Sequence, residues 1–140
     1  MFYKFLPEQD LIFIFQILLA IILGAILGIQ RERWGKWAGP RTYALVCGGS
    51  ALFTLLSRNF FPSSPAVIAS AIVSGIGFLG AGTILHKENR VEGLTTAAGL
   101  WMTAAIGMTV GIEKYILASI TTLIILLLLM IDDKGIKKIK

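Results

Sequence analysis

Arg31 and Glu32 stand at the end of an uncharged run, residues 11–30, three and four positions beyond Gly28. On a helix, residues three and four apart share a face. If the helix runs that far, both side chains continue the Gly24, Gly28 row and emerge on the packed side. Arg41 and Thr42 follow Gly39-Pro40, a favourable helix start. Thr95 and Thr96 follow Gly93, and either hydroxyl can cap a helix that begins there. Two helix N-termini beside two guanidinium groups favour an anion. Glu32 is the internal counter-ion on this reading, and a carboxylate, phosphate or lipid headgroup occupies the rest. The plainer reading, anchoring by snorkelled side chains, suits Arg33 and Lys36 better.

Other chemistry is poorly supplied. The eight carboxylates (Glu8, Asp10, Glu32, Glu88, Glu92, Glu113, Asp132, Asp133) lie at the ends of apolar runs or between them. Proton relays and cation sites inside a membrane need such a group near the midplane. His86 reads as an interfacial histidine. Cys47, the single cysteine, sits in TYALVCGGSALFTLLS, reads as a small buried apolar residue and has no disulfide partner. No metal-ligand spacing, nucleotide loop or nucleophile–base pair is present. No enzymatic role, catalytic residue, cofactor or metal site is therefore expected.

The elements that position these residues follow from composition. The 140 residues are 56% hydrophobic, and mean hydropathy is +0.80. So small a soluble domain cannot cover that much apolar surface, so the pattern predicts an integral membrane protein. The net charge of +5 bears on membrane topology and does not point to nucleic acid. The first apolar run is too long for a signal peptide, and its strong positive charges follow it. About 20 helical residues cross a bilayer. The predicted spans are 11–29, 42–57, 66–85, 94–112 and 115–131, the last two separated by Glu113-Lys114. The predicted fold is thus all-α: one compact domain of five transmembrane helices over residues 1–140.

Five spans put the termini on opposite sides. Arg31, Arg33, Lys36, Arg41, Lys87, Arg90, Lys134, Lys137, Lys138 and Lys140 fall on one face; Lys4, Arg58 and Lys114 fall on the other. That bias places the N-terminus outside and the C-terminus in the cytoplasm. Trp34 and Trp37 suit the inner interface; Phe60, Phe61 and Tyr115 suit the outer one. The segment KGIKKIK is expected to lie on anionic headgroups.

The stretch SGIGFLGAGTIL, 74–85, holds Gly75, Gly77, Gly80 and Gly82. In lipid, small residues let helices approach closely. At about 100° per residue, Gly75 and Gly82 share one side; Gly77 and Gly80 share the other, extended by Ser70, Ser74 and Ala81. The third helix is therefore expected to be central, gripped by two neighbours. Thr95, Gly99, Thr103, Gly107 and Gly111 form a matching row on the fourth helix; Gly24 and Gly28 form one on the first. The functional alternative is a helix unwound at its glycines to expose carbonyls to a substrate.

The blocks GIQRE (28–32), GPRTYALV (39–46), GIGFLGAGTIL (75–85) and GLTTAAGLWMTAAIGMTVG (93–111) together resemble the MgtC/SapB family of bacterial inner-membrane proteins. The resemblance implies a five-helix membrane domain with a cytoplasmic C-terminus. It also implies a role in growth under magnesium limitation and, in pathogens, survival inside macrophages. Inhibition of the F-type ATP synthase and magnesium transport are both attributed to members. Longer members continue into a soluble C-terminal domain, whereas this sequence stops within nine residues of the fifth span. The motif positions carried over are Arg31, Glu32, Arg41, Thr42, Gly77, Gly80, Gly82, Gly93, Thr95, Thr96 and Trp101.

Three functions stand open on the sequence. One is a non-transporting regulator that binds a membrane-protein partner through small-residue helix faces. Another is a small transporter or channel for Mg²⁺ or an anion, formed by a homo-oligomer. The third is a lipid-binding module using Arg31 and Arg41 on headgroups.

Overall fold

The computed structural model of the chain describes residues 7–131. Lys4, Asp132, Asp133 and the basic segment 134–140 lie outside them. Five helices lie within a few residues of the predicted spans, with one exception after the third. α1 (Glu8–Arg33) begins after Pro7 with Glu8 and Asp10 in its first turn, where the helix dipole favours acids. It ends in a left-handed turn at Gly35, φ 64°. There the Gly35 N–H donates to the Glu32 carbonyl (2.9 Å) and the Lys36 N–H to the Arg31 carbonyl (3.0 Å). This pairing closes a helix C-terminus, and a glycine adopts its positive φ without steric cost.

α2 (Pro40–Phe60) is longer than the predicted 42–57 and starts with proline in its first turn, as does α3 (Pro65–Ala81). α4 (Leu94–Gly111) and α5 (Tyr115–Leu129) follow. α4 closes with the α1 pattern, but Glu113 holds the left-handed position at φ 65°. The Glu113 N–H reaches the Val110 carbonyl and the Lys114 N–H the Thr109 carbonyl, which reverses the chain into α5.

The exception lies after α3, which stops at Ala81, so the helix predicted to reach residue 85 is four residues shorter. The Thr83 hydroxyl donates to the Gly80 carbonyl at 2.8 Å, and the Thr83 and Ile84 N–H groups take up the last carbonyls. Gly82 is thus an end residue and not a helix-packing glycine. The chain then forms a hairpin that the apolar pattern did not predict, so the fold is not purely helical. β1 (Leu85–Lys87) and β2 (Arg90–Glu92) pair antiparallel, with His86 opposite Val91. Glu92 binds Lys87 at 2.9 Å and Arg90 at 2.7 Å.

α2 and α4 together form the centre of the bundle, and the expectation that α3 is central is overturned. Tyr43, Cys47 and Ala51 are fully enclosed, and α1 and α4 press on α2 from two sides. A Cβ at Gly24 would stand 2.5 Å from the Tyr43 carbonyl oxygen, and one at Gly28 the same distance from Pro40 Cα. On α4, a Cβ at Gly107 would overlap the Cys47 carbonyl; one at Gly111 would lie 2.7 Å from Thr54 Cβ. By contrast, a Cβ at Gly75 or Gly77 meets nothing within 4 Å, and one at Gly80 meets Ala97 at an ordinary 3.4 Å. α3 buries only Ile72, Ile76 and Gly80. The physical reason is that α2 itself offers a small-residue surface, Cys47, Gly48, Ser50, Ala51 and Thr54, on more than one side.

Two helices, α1 and α4, are long and apolar enough to cross a membrane; α3 and α5 are apolar but shorter. Large apolar side chains cover the outside, among them Phe15 and Ile22 on α1 and Ile116 and Leu127 on α5. Unbroken apolar exposure of this kind suits hydrocarbon.

Gly107→Ala is expected to lower stability by about 1–3 kcal/mol, the usual cost of overpacking. Gly77→Ala should leave stability unchanged or raise it by up to about 1 kcal/mol through helix propensity. Thermal unfolding in detergent compares the two, and equal losses would contradict the close packing of α4 on α2. The hairpin adds a pH dependence. Glu92's carboxyl sits below its ordinary value of 4.5, chiefly through the hydrogen bond from Lys87, which outweighs the opposing desolvation, with further lowering by the Arg90, Lys87 and Lys36 charges. A lowered carboxyl stabilises the fold above that ordinary value, and the contribution disappears as pH falls through the lowered one. Amide exchange in the hairpin, corrected for intrinsic rates, should therefore speed up under acid conditions. Lys87→Gln should flatten that response.

Candidate functional site

Arg31 leaves α1 near its last turn and is only 2% exposed. Its Nη2 donates to Thr96 Oγ1 at 3.1 Å, and Thr96 lies in the first turn of α4. Its Nε is enclosed and has no hydrogen-bond partner among the described residues. Tyr43, from the first turn of α2, completes the cluster. Its phenol lies beside the guanidinium, and its hydroxyl donates to the Thr96 carbonyl at 3.4 Å. Gly99 makes room for that ring: a Cβ there would stand 2.5 Å from the Tyr43 hydroxyl oxygen. Three helices thus meet at one buried cation.

The other residues expected at this edge separate from it. Glu32 is exposed and does not turn inward with Arg31; its Oε1 lies 3.8 Å from where a Gly39 Cβ would stand. The reason is geometric: consecutive helical residues diverge by about 100°, so Arg31 takes the packed side and Glu32 the α2 entry. Among the described residues the ion pairs are Arg58–Glu113, Lys87–Glu92 and Arg90–Glu92. Glu32 is therefore not the counter-ion of Arg31. Arg41, Thr42 and Thr95 are exposed, while Thr96 is buried. Neither threonine caps α4: its N-cap is Gly93, at φ 85°, where a Cβ would overlap the Thr83 carbonyl. Trp101 is 47% exposed and stands apart from the cluster.

Two further buried polar residues were not singled out from the sequence. Gln16 Nε2 donates to the Tyr115 hydroxyl at 2.6 Å, where Phe15 also meets the Tyr115 ring edge-on at 6.0 Å. Gln30 Nε2 donates to the Leu129 carbonyl at 2.8 Å. They tie α1 to the two ends of α5. Both are single amides inside apolar runs, and that signal is readable. Tyr43 gives no such signal, because its apolar ring fits the run around it. Arg58 Nη1 donates to the Gly111 carbonyl at 2.9 Å and satisfies the end of α4. Among the described residues no three His, Cys, Asp or Glu side chains gather to hold a metal ion.

A family model described as the MgtC family matches residues 17–136. The chain is similar to Protein MgtC of Salmonella typhimurium strain LT2, 47% identical over 123 residues that cover 86% of this chain and 53% of that protein. It is also similar to the Escherichia coli K12 protein YhiD, provisionally named a magnesium transporter. There the identity is 42% over 126 residues, 81% of this chain and 59% of YhiD. Protein SrpB of Synechococcus elongatus is 40% identical over 141 residues, 89% of this chain and 78% of SrpB. The chain thus spans about half the length of the MgtC protein it matches. No solved structure matches it.

Thr96→Val should cost about 1–3 kcal/mol, because it strips the buried guanidinium of a hydroxyl acceptor. Thr95→Val, on the exposed neighbour, should change stability by less than about 0.5 kcal/mol. Unfolding midpoints of the two variants in the same detergent check the difference.

Proposed function

The chain belongs to the MgtC family, and we propose that it is a non-enzymatic membrane regulator that docks against a transmembrane helix of another membrane protein. On this reading all five helices cross the bacterial inner membrane, with the N-terminus outside and the C-terminus in the cytoplasm. The basic-residue bias supports that orientation.

One observation carries the reading. α3 is glycine-rich, yet Gly75 and Gly77 have open space where packing was expected. Gly75 lies in an apolar groove of about 580 Å³ between α2 and α3, lined also by Leu45, Gly49, Phe53, Ile72 and Leu79. In lipid, a bare small-residue surface is the kind that another helix covers by close packing. The F-type ATP synthase, implied by family likeness, is one candidate source of that helix. The setting is adaptation to magnesium limitation or virulence-type stress.

A second reading is a homo-oligomeric pathway for Mg²⁺, favoured by the provisional name of YhiD. The buried Arg31 charge works against it, because a divalent cation approaching that end of the bundle meets a desolvated positive group.

A photocrosslinking residue at Leu79, on the groove wall, tests the docking reading in native membranes. The expected product joins this chain to a different membrane protein. Gly75→Leu, which fills the groove, should abolish that product without lowering the unfolding midpoint. Crosslinks to a second copy alone would contradict it.

A further inference from the structure

We propose that Arg31 and the first-turn amides of α4 form a binding site for the phosphoryl oxygens of an anion, supplied by a phospholipid headgroup or by free phosphate. The inference is independent of the docking groove, which lies between α2 and α3.

The starting point is an unbalanced charge. A guanidinium keeps its charge at any physiological pH, and Arg31 is 2% exposed. Among the described residues its partners are neutral, the Thr96 hydroxyl and the Tyr43 phenol beside it, and its Nε has none. A buried charge normally has a counter-charge and hydrogen bonds to its remaining donors. Among the described residues no acid pairs with it: Glu32 is exposed at the start of α2, and Glu92 is held in the hairpin by Lys87 and Arg90. The carbonyls that end α1 accept from Trp34, Gly35 and Lys36.

The helix facing Arg31 adds to the imbalance. Thr96 belongs to the first turn of the 18-residue α4, so the cation sits against the positive end of that helix. This end has a glycine N-cap, no side-chain cap and no acid in its first turn. The N–H groups of Leu94, Thr95 and Thr96 therefore lack the acceptor that a capping side chain supplies. A buried cation and a positive helix end repel each other, and an anion that meets both relieves the repulsion. Thr95, exposed in the same turn, marks the side from which the anion arrives. Arg33 and Lys36 are exposed nearby in sequence and raise the local anion concentration. The ligand class follows from the donors. A planar fork and a set of helix-start amides match a tetrahedral group with several charged oxygens better than a single halide.

The test uses the full chain in a neutral detergent. Native mass spectrometry follows retained phosphatidylglycerol, and thermal unfolding is titrated with sodium phosphate against sodium chloride at equal ionic strength. Retained phosphatidylglycerol with no phosphate effect identifies a headgroup site; a phosphate-specific rise in the midpoint identifies free phosphate. Either response should weaken about tenfold in Arg31→Gln and in Arg31→Lys, which keeps the charge but loses the fork. It should persist in Arg41→Gln. Arg31→Lys covers the case in which Arg31→Gln does not fold. Wild-type protein that neither retains the lipid nor responds to phosphate overturns the proposal, as does binding unchanged in a folded Arg31 variant.

Discussion

Gly24 and Gly28 on α1, and Gly99, Gly107 and Gly111 on α4, bring three helices closer together than larger side chains would permit. In lipid there is little hydrophobic drive to hold helices together, so the bundle depends on this proximity. It multiplies weak dispersion contacts and sets the distances at which polar groups meet. Arg31 reaches Thr96, and Tyr43 reaches the Thr96 carbonyl, because α1, α2 and α4 are already this close. Gly99 shows the dependence directly, since its missing side chain is the space that the Tyr43 hydroxyl fills.

The same constraint explains why α3 looks different. Its glycines face open space at Gly75 and Gly77, although a helical wheel gives them the same small-residue signature as those of α4. A sequence shows that a helix can be approached closely, but not whether the approaching helix is in the same chain. That is why the expectation of a central α3 failed while the rows on α1 and α4 lie against α2. The docking proposal rests on this difference between two similar-looking surfaces.

Much of the remaining fold was legible. The five helices followed from apolar run length, and the break at Glu113-Lys114 from two charges between apolar runs. The end of α3 was not legible, because Thr83 and Ile84 look apolar enough to continue a helix. There the Thr83 hydroxyl and N–H both bond the Gly80 carbonyl, and the chain passes into the hairpin, whose strand pairing replaces helical bonds. At the charged edge, helix periodicity identified Arg31, but the assumption that Glu32 would accompany it ignored the angle between consecutive residues. The hydroxyl that Arg31 reaches belongs to Thr96 and not to Thr95. That choice depends on where α4 starts, and Gly93 with its left-handed backbone fixes the start.

The electrostatics divide the molecule by role. Exposed pairs such as Arg58–Glu113, at 3.5 Å, add little stability in water. The Arg31 guanidinium is enclosed and has no acid partner among the described residues, so this end of the core carries a positive charge. On the proposed reading, such a core suits a regulator that binds a partner from within the bilayer better than a Mg²⁺ pathway along the bundle. The most direct measurement is Mg²⁺ uptake by proteoliposomes holding folded, oriented protein, compared with protein-free vesicles. No uptake above the vesicle background is the result expected of a regulator. Saturable uptake that requires the folded protein would contradict that account and establish a transporter.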